Sequence, residues 1–288
     1  MKVLIVLKNS HINGITTFSC TLAKYLNKHG IEVDIFIENN EPSILILKIS
    51  SYANIITEPT DIYDQIFFSY SSSLDKFSNF KGIKKLFIHG AMNQDFHPGN
   101  GKFDKLFVFS EKVLRWVKSD IPTELIRNGI DLERFRPINK INIRLQKILI
   151  FDIRNSGFYD SLIIKAASSI GAYVSIMQTG WNVEERIKDA DLVIGYGRCI
   201  IEAMAMGKCA IVYGLNGGDG YVDSVNYEKM MQTNFSGWSI RSMKQPENIS
   251  IEEIITELKR YNSTDGNRLF KKTIANYNMN SYIEQIIC

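Results

Sequence analysis

The sequence predicts an α/β protein made of two doubly wound, Rossmann-like domains facing each other across a cleft. Three observations carry that expectation. Short apolar runs recur along the whole chain, at residues 3–7, 33–37, 66–69, 86–88, 106–109, 148–153, 174–177, 192–194 and 210–213. Helix-period segments separate many of them, and β-α alternation of this kind builds parallel sheets. The pattern also restarts, with a fresh strand at Lys147 after the polar, proline-containing stretch 136–144. At 288 residues, 45% of them hydrophobic, the chain is long enough for two cores of roughly 140 residues each. Two such domains would bind ligands outside the carboxyl ends of their strands.

The first apolar run, in MKVLIVLKNS, is too short for the core of a signal peptide and lacks a small-residue cleavage site; it is read as strand one. After the turn Asn13-Gly14, the residues Ile15, Phe18, Leu22, Tyr25 and Leu26 share one face at helical spacing, and Gly30 ends that helix. Ser110 reads as the N-cap of a helix through Val117, which must stop before Ile121-Pro122. Asn182 with Glu185, and Ser250 with Glu253, fit the capping-box pattern. No stretch reaches the eighteen or so apolar residues of a membrane span.

Charge and cysteines narrow the classes. A net charge of +3 suits an anionic small ligand or a peripheral membrane contact better than a dedicated nucleic-acid surface, although a nucleic-acid acceptor stays open. Four cysteines, at 20, 199, 209 and 288, are far apart with no CxxC, so neither zinc nor a disulfide framework is indicated. The expected location is the cytoplasm, with the inner membrane surface as a second place.

The richest segment is 190–218, ADLVIGYGRCIIEAMAMGKCAIVYGLNGG. It reads as strand, glycine turn, short helix, strand. Gly195 and Gly197 let the backbone turn and approach a ligand. The helix that follows presents free N–H groups and its positive dipole end, and Arg198 adds a fixed charge, so a phosphate suits this spot. Gly207 stops the helix at the C′ position. Glycine turns of this kind occur in any doubly wound domain. What sets this one apart is Glu202 on the otherwise apolar helix IIEAMAM, because buried carboxylates are rare unless they are paired or bind something. Further on, 216–220 with Gly217 and Gly218 reads either as an anion-binding nest or as a plain turn. Asp189 and Asp191 form a D-x-D that is read as structural, and no metal is expected.

At this point the residues resemble a known family. Arg127-Asn128-Gly129-Ile130-Asp131 with Phe135 and Pro137 is similar to the signature that closes the first domain of GT-B glycosyltransferases, above all the large retaining group numbered family 4. ADLVIGYG followed by IIEAMAMGKCAIVYG resembles that group's donor segment. Residues 13–18, NGITTF, are similar to its glycine-rich first loop, and the terminal NMNSYIEQII to its last helix, which crosses back onto the first domain. The resemblance implies domains at 1–140 (acceptor side) and 141–267 (donor side), with 268–288 as the crossing helix.

It also implies roles. Glu202 matches the acid that binds the donor ribose, and Arg154 the arginine that neutralises the donor diphosphate. Gly14, Gly195, Gly197, Arg198, Gly217 and Gly218 complete the implied donor set, and His89 matches the position that meets the transferred sugar. The implied activity is metal-independent transfer of a sugar, with retention, from a nucleotide diphosphate, UDP above all, to a hydroxyl of a glycan or lipid-linked acceptor. The nucleotide sugar is a substrate, and no cofactor is implied. A DNA-modifying glycosyltransferase and a non-catalytic nucleotide-sugar binding module are the alternatives. One departure bears on the chemistry: retaining members carry a second Glu eight residues before the position of Glu202, and here that residue is Ile194.

Overall fold

The computed structural model describes residues 1–39, 43–60, 62–90, 98, 102–151, 157–178, 180–214, 217–239 and 249–288. They form two compact units, Met1–Gly129 joined by Met279–Cys288, and Ile130–Asn278.

The first unit runs β1 (Lys2–Asn9), α1 (Gly14–Lys28), β2 (Glu32–Asn39), α2 (Ile44–Ile49), β3 (Asn54–Ile56), β4 (Ile62–Phe68), β5 (Lys81–Ile88), β6 (Lys105–Val108), α3 (Glu111–Trp116) and β7 (Thr123–Leu125). Its sheet has the order β3-β2-β1-β4-β5-β6-β7, and every pairing is parallel. Parallel strands are covered on both faces, which is why β1 reads as an unbroken apolar run: Val3 to Leu7 are each at most 2% exposed. At the carboxyl end of β1, the Asn13 side chain accepts from the N–H groups of Ile15 and Thr16 while Thr16 Oγ1 accepts from the Asn13 N–H. That reciprocal cap starts α1. Gly30, at φ +73°, follows its end. Ser110 caps α3 by accepting from the Val113 N–H at 3.2 Å.

The second unit runs β8 (Lys147–Phe151), α4 (Gly157–Ser169), β9 (Tyr173–Met177), α5 (Val183–Ile187), β10 (Leu192–Gly195), α6 (Arg198–Ala205), β11 (Cys209–Gly214), β12 (Gly217–Tyr221), α7 (Tyr227–Met231), α8 (Ile251–Lys259) and α9 (Ser263–Tyr277). The sheet order is β12-β11-β10-β8-β9, parallel except for β12. Ser250 and Glu253 form the expected capping box of α8. Asn182 precedes α5 but makes no side-chain cap bond, so that part of the capping expectation is corrected.

Asp191 is 2% exposed. It accepts from the backbone N–H groups of Asn142, Gln146 and Lys147 at 2.8, 3.0 and 2.9 Å. It therefore ties the chain entering β8 to the start of β10, a structural task. Asp189 accepts from Asn139 Nδ2 at 3.1 Å.

Three strands are absent from the sequence reading: β3 and β7, three-residue edge strands, and β12, whose sequence GGDGY reads as a turn. The bounds of the units also differ from expectation. The first break falls at 129/130 instead of 140/141, because Phe135 is buried in the core of the second unit and the Ile130 N–H donates to Tyr277 O at 2.8 Å. Next to it, a Cβ on Gly129 would lie 2.9 Å from Met279 Cα, so glycine is required where these two stretches run side by side. The second break falls at 278/279, so α9 stays with the second unit.

The remaining stretch, with α10 (Ile283–Ile287), is held by the sheet of the first unit. Lys85 Nζ donates to Ile286 O at 2.7 Å, Gln65 Nε2 to Ile287 O at 2.6 Å, and Gln285 Nε2 to Glu124 Oε2 at 2.9 Å. The first two side chains satisfy carbonyls that a helix end leaves without intrahelical partners. Lys85 is fully buried between the rings of Phe67 and Phe107, and burial pushes its amine down to about 8. Among the described residues, no helix is long and apolar enough to cross a membrane.

Candidate functional site

Each sheet reverses its strand order at one place, and in open α/β sheets ligands bind outside the carboxyl ends of the strands at that switch point. In the second unit the switch lies between β8 and β10. β10 runs into Gly195, Tyr196 and Gly197, and α6 begins at Arg198. Gly197 sits at φ +64°, with open space where a Cβ would be. Gly195 is glycine for a different reason: a Cβ there would lie 2.7 Å from Cys199 Sγ and 3.3 Å from Phe151 Cβ. The Cys199 thiol donates to Tyr196 O at 3.2 Å. Burial pushes it up to about 12, which favours the thiol over the thiolate near neutral pH.

Glu202 follows one turn along α6 and is 4% exposed. Arg198 Nε donates to its Oε1 at 2.8 Å, an i,i+4 pair buried on both sides. Arg134 lies close enough to add to the field at Glu202. Its guanidinium rests 4.6 Å over the ring of Trp181 and 4.9 Å over that of Phe135, and it pairs with Glu184 at 2.6 Å. Glu184, Arg134, Glu202 and Arg198 thus form a largely shielded cluster of alternating charge. Burial still dominates at Glu202 and raises its carboxyl above the ordinary range, against the pull of both arginines. Among the described residues, the hydrogen-bond partner of Glu202 is Arg198, on Oε1. A carboxylate oxygen has several acceptor positions, so Glu202 can in principle accept more bonds than the one from Arg198.

The helix ends as the sequence predicts. The Gly207 N–H bonds to Met204 O at 3.0 Å and the Lys208 N–H to Ala203 O at 3.1 Å, with Gly207 at φ +73°; this is a Schellman cap. The expectation of free amides at the start of the helix is met differently: the Gly197 N–H donates to Phe235 O at 2.7 Å. Gly217 and Gly218 lie in β12, paired with Gly214 and Tyr213, not in a nest. At Gly218 a Cβ would lie 1.8 Å from Tyr213 Cδ1, so this glycine admits a ring. Arg154 lies outside the described residues.

Ile194, at the place of the family's second Glu, is completely buried with Ile148, Ile150 and Ile211. A carboxylate there would be an uncompensated charge in an apolar cluster. The position is a packing residue here and does not face the glycine turn.

In the first unit the switch lies between β1 and β4. Gly14 opens α1 with no atom near its missing Cβ, and His89 directly follows β5. The His89 ring packs edge-on against Phe18 at 5.4 Å and, tilted, against Phe109 at 4.6 Å. Lys8 Nζ rests 5.3 Å over Tyr70. Within their units, then, Gly195, Gly197, Arg198 and Glu202 come together at one switch point, and Gly14 and His89 border another. Arg134 and Phe235 were missed by the sequence reading. Arg134 stands in plain view between the matched Asp131 and Phe135, whereas nothing in the sequence announces a left-handed phenylalanine at 235, where φ is 54°.

No protein-family model and no curated protein sequence matches the chain. Solved structures do. A glycosyltransferase from Rickettsia africae is 14% identical over 99% of this chain and 96% of its own, with a TM-score of 0.62. A mutant of S. aureus TarM in complex with fondaparinux, alpha-GlcNAc-glycerol and UDP is 10% identical over 99% of both chains, with a TM-score of 0.66. An alpha-glucosyltransferase in complex with UDP and a 13-mer DNA containing an A:G mismatch is 10% identical over 99% of both, with a TM-score of 0.60. The chain has the GT-B fold. At such low identity the likeness is one of fold, and it spans both units. Within the GT-B fold, the donor segment of the family-4 resemblance falls on the switch point of the second unit.

Proposed function

We propose that this chain is a glycosyltransferase that moves a sugar from a nucleotide-diphosphate donor, UDP-linked, to a hydroxyl of a glycan or lipid-linked acceptor. The observation that carries the reading is Glu202. It is a buried carboxylate, held at one oxygen by Arg198, on the helix that follows a glycine turn at a switch point. A ribose offers the two hydroxyl donors such a group accepts, and Arg198 places positive charge where a diphosphate would lie. A leaving diphosphate gains charge in the transition state, so a cation fixed beforehand lowers the barrier. Arg154 is assigned the same task on the other phosphate. His89 is assigned a sugar hydroxyl, and Gly14 the close backbone approach at the first loop. The reaction is proposed to need no metal and no cofactor and to proceed with retention. The UDP in two of the neighbouring structures supports the donor class.

Thermal unfolding against a panel of UDP-, GDP- and ADP-sugars tests this directly. A donor at a hundred times its dissociation constant adds about 2.7 kcal/mol of stability, and Glu202→Gln is expected to abolish that gain. Absence of stabilisation by every nucleotide sugar, together with absence of hydrolysis or transfer, rejects the reading. Turnover separates an enzyme from a binding module, and undiminished turnover after chelation supports the metal-free reaction. The DNA in one neighbouring structure makes a DNA hydroxyl the second acceptor class; salt-dependent binding to duplex DNA would favour it. The chain is placed in the cytoplasm, and binding to anionic vesicles tests contact with the inner membrane surface.

A further inference from the structure

Arg134 carries a charge that its ion pair does not use up. The guanidinium rests 4.6 Å over the ring of Trp181 and 4.9 Å over that of Phe135, and Nη2 donates to Glu184 Oε2 at 2.6 Å. The side chains of Arg134 and Glu184 are 15% and 18% exposed, so the pair is shielded from water and from salt. A guanidinium has five N–H donors. Of these, the one on Nε is buried and meets no acceptor among the described residues. Two rings and one carboxylate therefore hold a cation whose donors are only partly matched.

The place of this cation gives it a second target. Phe135, beneath the guanidinium, packs in one core cluster with Val183 and Ile187 of α5 and with Ile200, Ile201 and Met204 of α6. Arg134 is thereby held near enough to α6 to pull on Glu202. The charges that act most on Glu202 are Arg198 and Arg134, which favour its carboxylate, and Glu184, which opposes it. Other titratable groups near α6 add little charge. On its own helix stands the Cys199 thiol, pushed up to about 12, and on β11 the Cys209 thiol, pushed up to about 11. β11 also carries Tyr213, and β10 carries no titratable group. On α9 the buried groups are Tyr277 and Asp265, and Asp265 is held by Tyr221 and Arg268. Two arginines and two acids make a neutral cluster only when Glu202 is ionised, and a buried net charge is unfavourable.

We propose that Arg134 is a positioning residue of the donor site: fixed over Trp181 and Phe135, its guanidinium keeps Glu202 in the ionised form that accepts the ribose hydroxyls of the nucleotide-sugar donor. The proposal rests on the donor-binding reading above. Arg198 bonds the carboxylate directly, whereas Arg134 acts across space and touches no ligand. Without Arg134, burial and Glu184 would both drive the carboxyl toward its neutral form. A protonated carboxyl presents a donor of its own where the carboxylate only accepts, so it competes with the ribose hydroxyls instead of receiving them.

UDP and 2′,3′-dideoxy-UDP, titrated by calorimetry across a range of pH, separate this role from a structural one. The two ligands share one phosphate titration, so the ratio of their affinities reports the ribose contact. In the wild type UDP should be preferred at high pH, and the preference should fade as acid neutralises Glu202. Arg134→Met should move the midpoint of that fade upward by at least about one pH unit, as expected when an opposite charge nearby is lost, and keep the preference above it. Arg134→Gln, which can still bond Glu184, should show the same shift and serves if the methionine variant folds poorly. Arg134→Lys keeps the charge but not the flat contact with the rings, so it should unfold more easily and retain the wild-type midpoint. A wild-type midpoint in folded Arg134→Met or Arg134→Gln overturns the proposal and leaves the donor-binding reading standing. Equal affinity of the wild type for the two nucleotides overturns the ribose contact of Glu202 and the proposal together.

Discussion

The two units solve the same topological problem with different chemistry. Each is a largely parallel sheet whose strand order reverses once, so backbone geometry alone creates a crevice at the strand ends in both. In the first unit that end is lined by rings: His89 packs against Phe18 and Phe109. In the second it holds a left-handed glycine and four charged side chains arranged in two ion pairs. Topology decides where a ligand can bind, and the side chains at the strand ends decide which. Rings and an imidazole suit sugar faces and hydroxyls, whereas buried arginines beside a carboxylate suit a phosphate next to a ribose.

The sharpest way to break this contrast is to cut one residue on each side. Glu202→Ala strands Arg198 in a buried setting, and removing one partner of a buried pair costs about 3–5 kcal/mol. Denaturant unfolding should show that loss, and nucleotide binding should vanish. His89→Gln should weaken donor binding far less than Glu202→Ala does, measured by calorimetry, and reduce transfer. Equal loss of donor binding in the two variants would erase the distinction between the units.

Next in size is Gly218→Ala. Its Cβ would meet Tyr213 Cδ1 at 1.8 Å, and overpacking of this kind costs about 1–3 kcal/mol. Donor affinity of the folded fraction should be retained if Gly218 serves packing alone, and a loss of affinity would return it to the donor set.

Acid titration sharpens the contrast further. Burial raises the Glu202 carboxyl, so in the window between the ordinary carboxylate value and the raised one the folded chain holds a proton that the unfolded chain has released. The Glu202 contribution to stability therefore falls as pH rises through that window. Donor binding should move the opposite way, because the ionised carboxylate is the acceptor. Glu202→Gln should flatten both dependences. In the first unit the buried group is Lys85, lowered to about 8. Between pH 8 and about 10.5 the unfolded chain binds more protons, so stability should rise with pH relative to Lys85→Met, measured by chemical denaturation.

The smallest effect is expected at Gly14. A Cβ there meets nothing within 4 Å, and alanine in place of glycine favours a helix by roughly 0.5–1 kcal/mol. A slight gain in stability with reduced turnover from Gly14→Ala would assign that glycine to a ligand.

Much of this was legible in the residues because it is local. The nine apolar runs mark nine of the twelve strands among the described residues, the Gly207 cap follows from helix chemistry, and Glu202 stands out as an acid on an apolar helix. What escaped depends on distant partners. Lys85 precedes the apolar run 86–88 and carries no sign of burial in its neighbours; its carbonyl partner, Ile286, lies two hundred residues later in α10. Gly218 looks like a nest glycine until Tyr213 is seen against it. Ile194 aligns with a family acid, yet β8 and β11 on either side of β10 enclose it in the core. The conformation of Phe235 is held by the rings of Tyr227 and Tyr277 as well as by the local bond of its N–H to Met230 O.

The docking of α10 on the first unit has a consequence in time. Met1–Gly129 leaves the ribosome first, but the carbonyls that meet Lys85 and Gln65 belong to residues 286 and 287. The 149 residues of Ile130–Asn278 intervene, a delay on the order of 10–30 s at usual elongation rates. Through that interval Lys85 and Gln65 lack the carbonyls that they meet in the finished chain. The later-made unit can therefore complete its own sheet before the earlier one is sealed, and the order of synthesis is the reverse of the order of closure.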